Sequence, residues 1–135
     1  MASLLGTWGL ESQEGFDEYM KHLGVGMVLR KMGNTLKPDF TVSKDGDTWK
    51  MVTSSTFKTT EVTFQEGVEF DEKTADDRAI KSTVTFEGEK MVQLQKDPKT
   101  PANDTVIERV VEDGKLVTSV KCGDIVAKRI YFNKG

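Results

Sequence analysis

The stretch DTVIERVVEDGKLVTSVKCGDIVAKRIY, Asp104 to Tyr131, holds three β-type runs separated by the two-residue turn signals Asp113-Gly114 and Gly123-Asp124. Folded onto each other as hairpins, the runs set Arg109 opposite Thr118 and Thr118 opposite Arg129. The neighbouring rows are Ile107, Val120, Ala127 on one side and Val111, Leu116, Tyr131 on the other. Directly opposed residues point the same way, so two arginines share one face, framed by apolar side chains. Strands two apart lie about 10 Å from each other, a gap that two guanidinium arms and a phenol can close around one anion. An arginine on a strand ordinarily sits outside, paired with acids. Parity in the first run argues otherwise, because Thr105, Ile107, Arg109 and Val111 alternate with Asp104, Val106, Glu108, Val110 and Glu112, and the second set carries the charges. In the last run both alternating sets are mostly apolar, so only the register places Arg129 there.

The same rhythm extends back through the chain. Turn signals at Asp45-Gly46, Ser54-Ser55-Thr56, Glu66-Gly67, Asp76-Asp77, Glu87-Gly88 and Asp97 to Asn103 recur about every ten residues. Runs such as Lys58 to Phe64 and Ser82 to Phe86 alternate β-branched or aromatic residues with polar ones. Counting the opening run from Leu5 to Ser12, this predicts about ten short antiparallel strands. A sheet of that width must close, since an open one would leave long unpaired edges. The expected fold is all-β, a ten-stranded antiparallel up-and-down barrel. One stretch alone has helical period: Phe16, Tyr19, Met20 and Leu23, then Val25, Val28, Leu29 and Met32 after a break at Gly24. It predicts a helix-turn-helix between strands one and two, with Gly33-Asn34 as the cap of the second helix. That pair is too small to cover ten strands, so it is expected to lid a partly hollow barrel.

With 135 residues the chain is read as a single domain, 1–135. Lys and Arg number 19 against 22 Asp and Glu, and they are scattered, which leaves no basic stripe for nucleic acid. The single Cys122 excludes an internal disulfide, and Met1 to Gly6 has no apolar core of signal-peptide length, so a cytoplasmic setting is expected. No run reaches transmembrane length.

Gly6-Thr7-Trp8, Gly15 to Lys21, Leu23 to Gly26, Ser55-Thr56-Phe57-Lys58, Gly67 to Glu72, Thr74 to Arg78 and Arg129-Ile130-Tyr131 together resemble the cytosolic fatty-acid-binding proteins, nearly end to end. The resemblance is strongest to the heart, adipocyte, epidermal and myelin type. It implies a non-covalent intracellular carrier of long-chain fatty acids, monomeric, with no cofactor or metal, whose ligand carboxylate is held by Arg109, Arg129 and Tyr131. It further implies a pocket lined from the lid by Phe16, Tyr19, Met20, Leu23, Val25 and Leu29. Strands and turns would add Pro38, Phe40, Thr53, Ser55, Ala75, Asp76, Ile107, Thr118 and Val120, with Phe57 and Lys58 at the portal and Trp8 in the core. The chain departs from the family pattern at Gly9, where Lys is usual, at Phe132, often charged, at Thr118, commonly apolar, and in a long Asp97 to Asn103 connection.

Other readings have specific weaknesses. Gly6-Thr7-Trp8 also resembles the start of secreted lipocalins, but no paired Cys accompanies it. An enzyme would need converging groups. Asp71 and Glu72 point to opposite faces of a strand, Asp76-Asp77 is a turn signal, His22 lies beside Lys21 on the polar side of a helix, and Cys122 has no basic neighbour in sequence. A membrane-stacking role fits poorly with a net charge of −3. Lys21, Arg30 and Lys31 on the lid nevertheless suggest transient contact with an anionic membrane. Members of the family it resembles that carry retinol tend to have Gln at the arginine positions, so Arg109 and Arg129 imply an acid over an alcohol, which leaves retinoic acid as the rival ligand.

Overall fold

The computed structural model describes residues 2–135. After a short 3-10 turn at Ala2–Leu4 come β1 (Gly6–Glu14), α1 (Phe16–His22), α2 (Met27–Thr35), β2 (Asp39–Asp45), β3 (Thr48–Ser54), β4 (Thr59–Phe64) and β5 (Phe70–Lys73). Then follow β6 (Ala79–Glu87), β7 (Lys90–Lys96), a 3-10 turn at Pro101–Asn103, β8 (Thr105–Glu112), β9 (Lys115–Cys122) and β10 (Ile125–Asn133). The ten strands form one antiparallel sheet in the order β4-β3-β2-β1-β10-β9-β8-β7-β6-β5. Every sequence neighbour pairs except β4 and β5, while β1 pairs with β10. The barrel is therefore nearly closed, and what joins β4 to β5 is side-chain packing, including Phe64 stacked on Phe70 at 5.7 Å.

The hairpin register follows from the turn chemistry. Asp113 and Gly114 both adopt positive φ, 53° and 77°, the conformation that matches strand twist, and Glu112 pairs with Lys115. Gly123 at φ 58° makes the next turn, where Cys122 pairs with Ile125. Arg109 then faces Thr118, and Thr118 faces Arg129, as the sequence predicts. In β10 the ambiguity of parity is resolved by exposure: Val126 is 59% exposed and Phe132 42%, whereas Ala127 and Tyr131 are buried. A bulge in β1 between Leu10 and Ser12 shifts the pairing with β10, so that Gln13 comes opposite Arg129.

Two clusters of buried residues form. Leu4, Trp8, Leu10, Phe40, Val42, Trp49, Met51, Phe64, Val84, Met91, Leu116 and Tyr131 make the larger. Trp8 is 1% exposed and donates its indole N–H to the Leu4 carbonyl at 3.0 Å. The smaller cluster, Tyr19 with Val120, Cys122 and Ala127, ties α1 to the barrel. The expected cap at Gly33-Asn34 is not there: α2 runs on to Thr35 and ends at Leu36, whose N–H reaches the Met32 carbonyl. Gly33 is small for a different reason, since a Cβ on it would lie 2.7 Å from the Met20 sulfur. It lets α2 approach α1. Two departures from the family pattern belong together: Gly9 pairs with Phe132, and a Cβ at Gly9 would meet the Phe132 ring at 2.9 Å.

Candidate functional site

Beneath α1 and α2 lies a cavity of about 310 Å³, lined by residues of the helices, of β2 to β5 and β7 to β10, and of the turns beside them. All of the residues expected around a pocket line it: Phe16, Tyr19, Met20, Leu23, Val25 and Leu29 from the lid region; Phe40 from β2 and Thr53 from β3, with Pro38 and Ser55 just beyond their ends; Ala75 and Asp76 from a turn; Ile107, Thr118 and Val120 from β8 and β9. Arg109, Arg129 and Tyr131 lie in the same wall, and Phe57 and Lys58 at its edge. Phe57 is 49% exposed. Lys58 donates to the Ala75 carbonyl at 3.2 Å and to Asp77 at 3.0 Å, so it bridges the two turns beside the lid.

The two arginines are held differently. The Arg109 guanidinium lies 4.8 Å from the centre of the Phe40 ring, and its Nη1 donates to Gln93 Oε1 at 2.8 Å. Burial holds its pKa below the ordinary arginine value; Tyr131 and Glu72 oppose that shift, while Arg129 adds to it as a like charge. Arg129 lies 4.3 Å from the Phe16 ring centre and 5.8 Å from that of Tyr131. Its Nε is buried with no hydrogen-bond partner in the protein, and so is Oγ1 of Thr118, the residue between the two arginines. Stacking on aromatic faces offsets part of the cost of burying each cation. It leaves donors and a hydroxyl to bind a small oxyanion.

The sequence reading missed Met32, Gly33, Leu36, Thr60, Glu72, Thr74, Arg78 and Gln95, which also line the cavity. Arg78 is a third guanidinium, but it has its own counter-ions in Asp76 at 2.8 Å and Asp97 at 3.4 Å. Asp97 also accepts the Lys99 and Thr100 N–H groups, which shapes the long connection before β8. Tyr19 is bonded to Thr105 through its hydroxyl at 2.9 Å, and burial raises its pKa despite that bond. Glu72 had a legible signal: parity puts it on the face of Phe70, opposite to Asp71, which pairs with Lys81. A second, more polar cleft of about 390 Å³ lies where β4 and β5 fail to pair, and it shares Lys58, Thr60, Glu72 and Thr74 with the barrel cavity. It contains neither Arg109 nor Arg129. Among the described residues, no group of three His, Cys, Asp or Glu could hold a metal ion, and no helix is long and apolar enough to cross a membrane.

Known proteins share this architecture. The chain is 48% identical over 130 residues to the sodium/calcium exchanger regulatory protein 1 of Doryteuthis pealeii, covering 96% of each chain. It superposes on the fatty-acid-binding protein 1 of Echinococcus granulosus with a TM-score of 0.94, at 43% identity and over 100% of both chains. A fatty-acid-binding protein of Schistosoma mansoni, solved in complex with arachidonic acid, also gives a TM-score of 0.94 at 43% identity, over 100% of this chain and 98% of that one. Residues 5–134 match the model of the lipocalin / cytosolic fatty-acid binding protein family, and the chain belongs to that family.

Proposed function

We propose that the protein is a carrier of long-chain fatty acids, cytoplasmic and monomeric, which encloses the acyl chain in the barrel and holds the carboxylate between Arg109, Arg129 and Tyr131. The observation that carries this reading is the juxtaposition of two arginines and a tyrosine in the wall of an otherwise largely apolar cavity, with Arg129 Nε and Thr118 Oγ1 buried and unpartnered. The arachidonic acid complex of the Schistosoma mansoni relative supports the ligand class. The Echinococcus granulosus and Schistosoma mansoni relatives are fatty-acid-binding proteins by name, so no turnover is expected.

The energetics divide by region. Burying about 14 methylenes at about 0.8 kcal/mol each supplies on the order of 11 kcal/mol gross, before the costs of association and chain ordering. The head group supplies discrimination, since each charge-assisted hydrogen bond contributes about 1.5 to 3 kcal/mol. The test is displacement of a fluorescent fatty acid by oleate and by oleyl alcohol. Oleate is expected to bind at least about tenfold tighter. Equal affinities would remove the socket from the account.

Delivery is the second part of the proposal: the lid touches membranes transiently. Met27 and Val28 at the start of α2 are each 75% exposed, and Leu29 and Phe57 are 41% and 49% exposed. These apolar side chains support the contact better than the helix charges do. Lys21 faces Asp17 at 3.5 Å and Glu18 at 3.9 Å, and Arg30 faces Asp17 at 3.4 Å, which leaves Lys31 as the one of the three with no acidic partner among the described residues.

A further inference from the structure

Two carboxylates line the barrel cavity, Asp76 and Glu72. Asp76 is taken by Arg78 at 2.8 Å. Glu72 has no cation within ion-pair distance among the described residues; its Oε1 accepts from Ser82 Oγ at 2.7 Å, Gln93 Nε2 at 3.0 Å and Gln95 Nε2 at 3.4 Å. The amide of Gln93 is 1% exposed and faces both ways, donating to Glu72 while its oxygen accepts from Arg109 Nη1 at 2.8 Å. A neutral side chain thus spaces Glu72, the cavity-lining carboxylate with no ion pair among the described residues, from the Arg109 and Arg129 pair.

We propose that Glu72, relayed through Gln93, is the built-in counter-charge of Arg109 and a specificity-determining residue of the cavity, tempering its pull on one carboxylate and disfavouring a second negative charge along the chain. The inference rests on the carboxylate-binding function proposed above. The chemistry requires a spacer. A carboxylate in direct contact with Arg109 would neutralise it and compete with the ligand for the same donors. Held one amide away, Glu72 acts through space: it lowers the cost of the buried cations before ligand binds, and once a fatty-acid carboxylate arrives it repels that group. Two negative charges then serve two positive ones. A dicarboxylic acid would add a third negative charge inside the same walls and should be selected against.

The experiment uses the intact chain and its isosteric variants Glu72→Gln and Gln93→Glu, with oleate, oleyl alcohol and hexadecanedioate as probes in one displacement assay. Gln at 72 keeps an oxygen for Ser82 and Gln93, so the change is one of charge. Oleate affinity should rise about three- to tenfold in Glu72→Gln, hexadecanedioate should gain more than oleate, and oleyl alcohol should stay within about twofold. An Arg109→Gln background should abolish the oleate gain. Gln93→Glu should move oleate the other way, because it brings the charge onto Arg109. An unchanged ratio of oleate to oleyl alcohol in both charge variants would overturn the inference, as would equal shifts for all three probes, which mark a merely structural residue. If the unmodified protein binds oleate and oleyl alcohol equally, the proposed function fails first and takes this inference with it.

Discussion

Arg129 has its guanidinium over the Phe16 ring at 4.3 Å, a buried Nε without a partner, and no carboxylate within ion-pair distance among the described residues. Such a side chain holds a cost in the folded protein that a bound anion relieves. Replacing it should separate stability from binding. Arg129→Gln is expected to keep or raise the urea midpoint of the ligand-free protein while weakening oleate by about ten- to a hundredfold, about 1.4 to 2.8 kcal/mol. A loss of more than about 1 kcal/mol in stability with unchanged oleate affinity would instead make Arg129 structural. At this scale the sequence was informative where register applied. Two turns with Gly and Asp at defined positions fix which residues of β8, β9 and β10 oppose each other, and with that the Arg109, Thr118, Arg129 row. The partners of those residues were not legible. Gln93 reaches Arg109 from β7, a strand whose register with β8 is set by the long Asp97 to Asn103 connection rather than by a two-residue turn.

Among the elements, the lid is where residue type and role separate most. The periodic pattern predicts two helices and their buried face, but it reads Gly33-Asn34 as an end although α2 continues to Thr35. A glycine needed for close approach to Met20 has the same letter as a glycine needed for a left-handed cap, and periodicity cannot tell them apart. The basic residues of the lid differ among themselves, because Lys21 and Arg30 have Asp17 beside them and Lys31 has no acidic partner among the described residues. Apolar exposure at Met27 and Val28 is therefore expected to govern contact with vesicles. Met27→Ser/Val28→Ser should slow transfer of a fluorescent fatty acid to anionic vesicles at least about threefold, at unchanged oleate affinity. Lys31→Glu should slow it less. Transfer rates that respond to Lys31 alone, and to added salt, would return the contact to electrostatics.

For the molecule as a whole, the number of strands, the antiparallel order and the helical lid were legible because each follows from a local rule: turn spacing, alternation, a single helical stretch. The open seam between β4 and β5 was not, since neither strand's pattern shows that their neighbouring ends fail to pair. The cavity depends on global closure, and the polar network of Glu72, Gln93 and Gln95 emerges only when β5 to β8 are brought side by side. Closure also explains how a chain with a net charge of −3 can have local positive charge inside, since Arg109 and Arg129 line the cavity. The central claim is that this interior charge holds the ligand as a carboxylate. It is tested most directly by a pH titration of [1-¹³C]oleate bound to the protein, followed by carboxyl NMR. A carboxylate beside arginine has its pKa lowered by about 1 to 3 units, so the bound carboxyl should keep its ionised shift well below the pH at which an ordinary carboxylic acid protonates. A bound carboxyl that titrates like a free one, with the same profile in Arg109→Gln/Arg129→Gln, would contradict the account.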